Sequence, residues 1–83
     1  MIQKVVSPES LGLTLRAVRK EKGISQKAVG HAVGMEQHTI SKIEKGNPGT
    51  GLGTLFRLLS ALDLELVVQP RRKPSGDDSE DVW

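Results

Sequence analysis

The stretch ISQKAVGHAVGMEQHTISKIEKG, residues 24–46, contains two short helical patterns divided by a turn, and its smallest residues stand where two crossing helices meet. Ser25 can cap a helix over residues 25–33, with Ala28, Val29, Ala32 and Val33 expected on its inner face and Gly34 ending it. A second helix over 36–45 buries Ile40 and Ile43 and turns Gln37, His38, Ser41 and Lys42 outward, and Gly46 closes it. Helices joined by so short a turn cross closely, so the contact position on the first must be small and the turn must accept a left-handed backbone. Gly30 and Gly34 meet those needs. In mid-helix Gly30 costs about 1 kcal/mol relative to alanine, which points to a close backbone approach at Ile40. Val29, Val33, Met35, Ile40 and Ile43 complete an apolar seam that fixes the angle. An ordinary helical hairpin is the alternative, but the capping serine, both glycines and every seam position agree on a helix-turn-helix.

Outward from this stretch, Met1–Val6 reads as extended, and Ser7-Pro8 starts a helix over 8–21 carrying Leu11, Leu15, Ala17 and Val18, with Gly23 as its stop. After the loop at Asn47 and Pro48, Thr50 can cap a helix over 51–62 in which Leu52, Leu55, Phe56, Leu58, Leu59 and Leu62 cover more than one stripe. Such a helix suits both its own core and a second subunit. The period then changes: Leu64, Leu66 and Val68 alternate with Glu65, Val67 and Gln69, a strand over 64–70 that Pro70 stops. One strand leaves its backbone groups unpaired, and only Ile2–Val6 could serve it within the chain, so pairing with a twofold-related copy is expected. Residues 71–83 read as a disordered acidic tail.

At 83 residues without cysteine, one small domain fits, with neither disulfides nor a thiolate metal site, and oligomerisation is the expected aid to stability. The net charge of +2 is unevenly spread: residues 1–73 hold all 12 bases against six acids, while Asp77, Asp78, Glu80 and Asp81 follow with no base. A basic body suits a polyanion. Neither a membrane span nor a secretory leader is readable, so a cytoplasmic location is expected. No catalytic set is present. His31 and His38 stand seven apart without a carboxylate pair, so no metal is expected; Gly49–Gly53 follows no strand and precedes no Lys-Ser or Lys-Thr, so it is no phosphate loop; and Asp77–Asp81 lacks the spacing of a calcium loop. Neither cofactor nor small-molecule substrate is expected.

The motif, with Gln26 opening one helix, Gln37 opening the next, and Ile43, Glu44 and Gly46 closing it, resembles the Xre/Cro/C1 helix-turn-helix family over about Leu11–Leu62. That implies a mainly α, four- to five-helix, lambda-repressor-like DNA-binding domain. KVVSPESL, EQHTISKIEKGN, TLFRLLSALDLELVV and a polar tail ending in tryptophan resemble, more narrowly, the HipB-type antitoxins, repressors paired with HipA-type kinases. This resemblance implies a homodimer joined through the fourth helix and a strand lid, here Leu55, Leu59, Leu62, Leu64, Leu66 and Val68. It also implies a structural pair of Arg19 with Glu44, the arginine often facing a phosphate as well. Members often carry alanine at Gly30 and a basic residue at Glu36, so the target sequence does not transfer.

Within a helix-turn-helix, only the outer face of the second helix and the start of the first reach the major groove. Gln37 can bond adenine through both ends of its amide; His38, Ser41 and Lys42 are further base-reading candidates. Gln26, Lys27, Thr39 and Lys45 are better placed for phosphates. Glu36, repelled by phosphates, is expected to cap its helix. Trp83, the sole tryptophan, reads as an anchor for another protein's pocket, with a kinase toxin, or a protease that removes the antitoxin, as the partner the resemblance implies; an inert terminal residue is the alternative. The expected function is a sequence-specific repressor of its own operon and antitoxin of a HipA-type kinase. A stand-alone phage-type repressor and a protein-interaction adaptor without DNA binding are the rivals.

Overall fold

The computed structural model describes residues 3–71, which form four helices: α1 (Pro8–Glu21), α2 (Gln26–Val33), α3 (Gln37–Glu44) and α4 (Leu52–Ala61). Each start has a local cause. Ser7 Oγ accepts from the Ser10 amide at 3.0 Å while Ser10 Oγ accepts from the Ser7 amide at 3.1 Å, a reciprocal box with Pro8 in the first turn. Ser25 Oγ accepts from the Ala28 amide at 3.0 Å. Thr50 does not cap α4: Gly51 holds that position, and the Thr50 hydroxyl donates instead to the Asn47 carbonyl at 3.3 Å, inside a turn closed by Asn47 Oδ1 and the Gly49 amide. Threonine one residue too early serves the loop rather than the helix.

All four helices stop by one device. The amide just past each helix end, two residues beyond the cap in α1, α3 and α4 and one beyond it in α2, returns to the last turn, as Ile24 to Arg19, Met35 to Gly30, Asn47 to Lys42 and Leu64 to Leu59, at 2.8–3.2 Å. The residue before that amide is left-handed, glycine in three helices and Asp63 (φ 60) in the fourth.

The core of buried Leu15, Val18, Val29, Ile40, Ile43, Leu58, Leu59 and Leu62 joins all four helices, with Leu11, Ile24, Met35, Leu55 and Leu64 packed against it. Several expected positions differ. Ala17, Ala28 and Ala32 are exposed; alanine carries too little apolar area to decide which edge of a stripe turns inward, and the larger residues do. Leu59 and Leu62 are 5% and 1% exposed, so the single chain consumes them, and the outward residues of α4 are Leu52 and Phe56, one turn apart. Residues 64–71 have no regular secondary structure, and no strand occurs among the described residues. A strand needs a neighbour for its backbone groups, and Val5–Val6 does not pair with it. The acidic tail and Trp83 lie outside the described residues.

Candidate nucleic-acid interface

The turn between α2 and α3 is set by Gly30. A Cβ there would stand 2.5 Å from the Met35 carbonyl oxygen, so the close approach is to the turn itself rather than to Ile40. Alanine at this position requires backbone to move. Gly12 does the same on the other side of α3: its missing Cβ would lie 2.5 Å from the Glu44 carbonyl oxygen and 2.6 Å from that of Ile43. Sequence reasoning passed over Gly12, although a glycine inside an otherwise helical pattern was the signal used for Gly30. Between these contacts α3 is held from both sides.

A polar chain then crosses the three helices. Arg19 Nε donates to Glu44 Oε2 at 2.6 Å and Nη2 to Oε1 at 3.0 Å, while Nη1 donates to the Ile24 carbonyl at 2.8 Å. The side chains of both partners are nearly buried, 9% and 3% exposed. Burial is the largest influence on the Glu44 carboxyl and pushes its pKa up. Hydrogen bonds from Arg19 and Gln26, with the nearby charges of Arg19 and Arg16, outweigh it and hold the group below the ordinary carboxylate range. On Arg19 the hydrogen bond to Glu44 dominates and raises the guanidinium pKa against burial. The pair is therefore ionised and bidentate, the geometry in which a buried charge is best compensated.

Gln26 extends the chain outward. Its Nε2 donates to Glu44 Oε1 at 3.0 Å and its Oε1 accepts from Gln37 Nε2 at 3.5 Å. The link between Gln26 and Glu44 spans 18 residues and left no mark in local spacing. It orients Gln26 so that its oxygen points to the exposed Gln37. Gln37, His38 and Lys42 are exposed on α3, whereas Ser41 and Thr39 are half-buried; Lys27 on α2 and Lys45 at the C-cap of α3 are exposed. Glu36 stands at the N-cap of α3 with extended backbone, yet its carboxylate takes no capping bond; short side chains reach back to the first amides, and glutamate is one methylene too long. Among the described residues no helix is long and apolar enough to cross a membrane.

The helix-turn-helix family model, of the Xre/Cro/C1 type, matches residues 15–69. Antitoxin HipB of Escherichia coli K12 is 31% identical over 78 residues, covering 94% of this chain and 89% of that protein. A HTH-type transcriptional regulator of Sinorhizobium fredii, y4dL, is 39% identical over 64 residues, 77% of this chain and 33% of its own length. Among solved structures, a HipB variant in complex with an O2 20-mer superposes with a TM-score of 0.82 at 30% identity, covering 87% of this chain and all of that one. HipB in a HipA–HipB–O2–O3 complex gives 0.80 at 31% identity, covering 86% of this chain and 100% of that one. With a matched domain of this extent and relatives aligned over nearly the whole length, the chain belongs to the Xre/Cro/C1-type helix-turn-helix family, alongside the HipB antitoxins.

Proposed function

We propose that this protein is a DNA-binding repressor and antitoxin of the HipB kind, reading operator DNA through α3 as a homodimer and restraining a HipA-type kinase encoded with it. The observation that carries the reading is the polar chain from Arg19 through Glu44 to Gln26, which orients the Gln26 amide toward the exposed Gln37 at the start of α3. Preset donors and acceptors lose little freedom on binding, which favours sequence readout over mere adhesion. Gln37, His38, Ser41 and Lys42 then face bases, and Gln26, Lys27, Thr39 and Lys45 face phosphates. Two copies of α3 enter successive major grooves about 34 Å apart. The copies meet through the outer face of α4, where Leu52 and Phe56 are 71% and 49% exposed, together with Leu66 and Val68. Residues 64–70 pair with their symmetry mates, and repression acts in the cytoplasm on the protein's own operon.

The test is binding to the duplex upstream of the reading frame across a salt series. Specific binding weakens steeply with salt, and Gln37→Ala lowers the preference for the cognate site about tenfold or more, one bidentate base contact being worth about 1–3 kcal/mol. Salt-insensitive or absent binding overturns the reading in favour of an adaptor. For the partner, removing Val82 and Trp83 weakens capture of the kinase while operator affinity holds; unchanged capture retires Trp83 as the anchor.

A further inference from the structure

The Glu44 carboxylate stands at the inner end of a series of side chains that runs from the core to the start of α3. Against burial, the hydrogen bonds from Arg19 and Gln26 hold this carboxyl below its ordinary range, so it is ionised and offers acceptors only. Arg19 occupies Oε2 through Nε at 2.6 Å and shares Oε1 through Nη2 at 3.0 Å. Oε1 also accepts from Gln26 Nε2, at 3.0 Å. A carboxylate oxygen admits no carbonyl, so the half-buried Gln26 amide has one permitted orientation, nitrogen inward and oxygen outward. That outward oxygen is again an acceptor only, and the exposed Gln37 meets it with Nε2, at 3.5 Å. Each amide takes its direction from the group behind it.

The direction changes what Gln37 has left to offer. An amide owns two N–H donors and one carbonyl oxygen. With one N–H given to Gln26, Gln37 keeps a single N–H beside its oxygen, the donor and acceptor that match adenine N7 and N6. Guanine shows two acceptors on the same edge, N7 and O6, and calls for two donors, one of which is already spent. We infer that Glu44 is a positioning residue for base reading: its acceptor-only head sets the direction of the Gln26 and Gln37 amides and so biases the base under Gln37 towards adenine and against guanine. The tie to Arg19, which holds α3 to α1, is a separate duty of the same carboxylate. Gln26 keeps its second N–H, so a phosphate contact does not compete with the relay. The assignment rests on the DNA-reading role of α3 proposed above, and its test separates the two.

The measurement is competition binding on duplexes carrying every single base-pair change of the upstream site, for the wild-type chain, Gln37→Ala, Gln26→Leu and Glu44→Gln, with thermal unfolding of each. Gln37→Ala marks the pair under Gln37 as the one whose preference disappears, and there the wild type favours adenine over guanine about tenfold or more. Gln26→Leu leaves the Arg19–Glu44 pair in place and removes the relay. Its adenine-to-guanine ratio falls about threefold or more, within the worth of one directed base contact, while preferences at other pairs hold. In Glu44→Gln the one remaining carbonyl oxygen turns to Arg19 and the new amide nitrogen to Gln26, both glutamines reverse, and the ratio falls below that of Gln26→Leu. Gln26→Leu decides the question whether or not Glu44→Gln folds. An unchanged ratio in folded Gln26→Leu overturns the inference, and so does an equal loss at every pair, the mark of a purely structural effect. A wild type that binds every duplex alike overturns the DNA-reading role itself.

Discussion

The face built by α2 and α3 and the outer face of α4 handle their groups in opposite ways. On the first, nearly every polar group that packing brings inward finds a partner in the same chain: Arg19 with Glu44 and Ile24, Gln26 with Glu44 and Gln37. On the second, Leu52, Phe56, Leu66, Val67 and Val68 remain between 49% and 90% exposed, and the backbone of residues 65–71 pairs with nothing among the described residues. One face is finished by one molecule and the other is left uncovered among the described residues. The lesson is that reading geometry and assembly are separable here, so substitutions that damage one should leave the other intact.

The sharpest way to break that separation is at the buried pair. Glu44→Ala strands the Arg19 charge and is expected to cost about 3–5 kcal/mol in denaturant unfolding; a loss below about 1 kcal/mol would reduce the polar chain to surface decoration. The same pair sets an acid dependence. Because the folded Glu44 carboxyl sits below its ordinary value of 4.5, its stabilisation is complete above that pH and drains away as pH falls through the depressed folded value. Glu44→Gln should flatten this acid limb, and an identical limb in the variant would assign it to other carboxylates. Gly12→Ala comes next, at about 1–3 kcal/mol, since the added methyl meets backbone carbonyls rather than a yielding side chain. Its crystal structure or amide spectrum should show α3 displaced from α1, and an unshifted α3 would refute the close-approach account. The smallest change in stability belongs to Leu52→Glu with Phe56→Glu, within about 0.5 kcal/mol for each exposed site in the isolated chain. Sedimentation should nevertheless move the protein from dimer to monomer, and a dimer that survives would put the contact elsewhere.

Legibility in the sequence tracked how local each cause was. The helix ends were readable because Ser7, Ser25, Gly23, Gly34 and Gly46 act within one turn of where they stand. Buried large residues at helical spacing, such as Leu15, Ile40 and Ile43, were equally plain. Alanines were not, because Ala28 and Ala32 fit the period while contributing too little area to be drawn in. The wide stripe of α4 could not tell which leucines one chain would use up, and Leu59 and Leu62 proved to be those. At the reading face, Gln26 and Gln37 were recognisable as residues, but the carboxylate that orients Gln26 comes from a different helix. Tertiary partners of that kind become visible only once the helices are packed.

Asp63 closes α4 with the left-handed backbone that glycine supplies to the other three helices. Its side chain is exposed, and an exposed position ordinarily tolerates almost any replacement. Here the backbone sets the permitted alphabet: glycine and asparagine should be accepted, and most other residues penalised by roughly 1–2 kcal/mol. Mutational drift is thus restrained at the end of α4, although the side chain that would change is exposed.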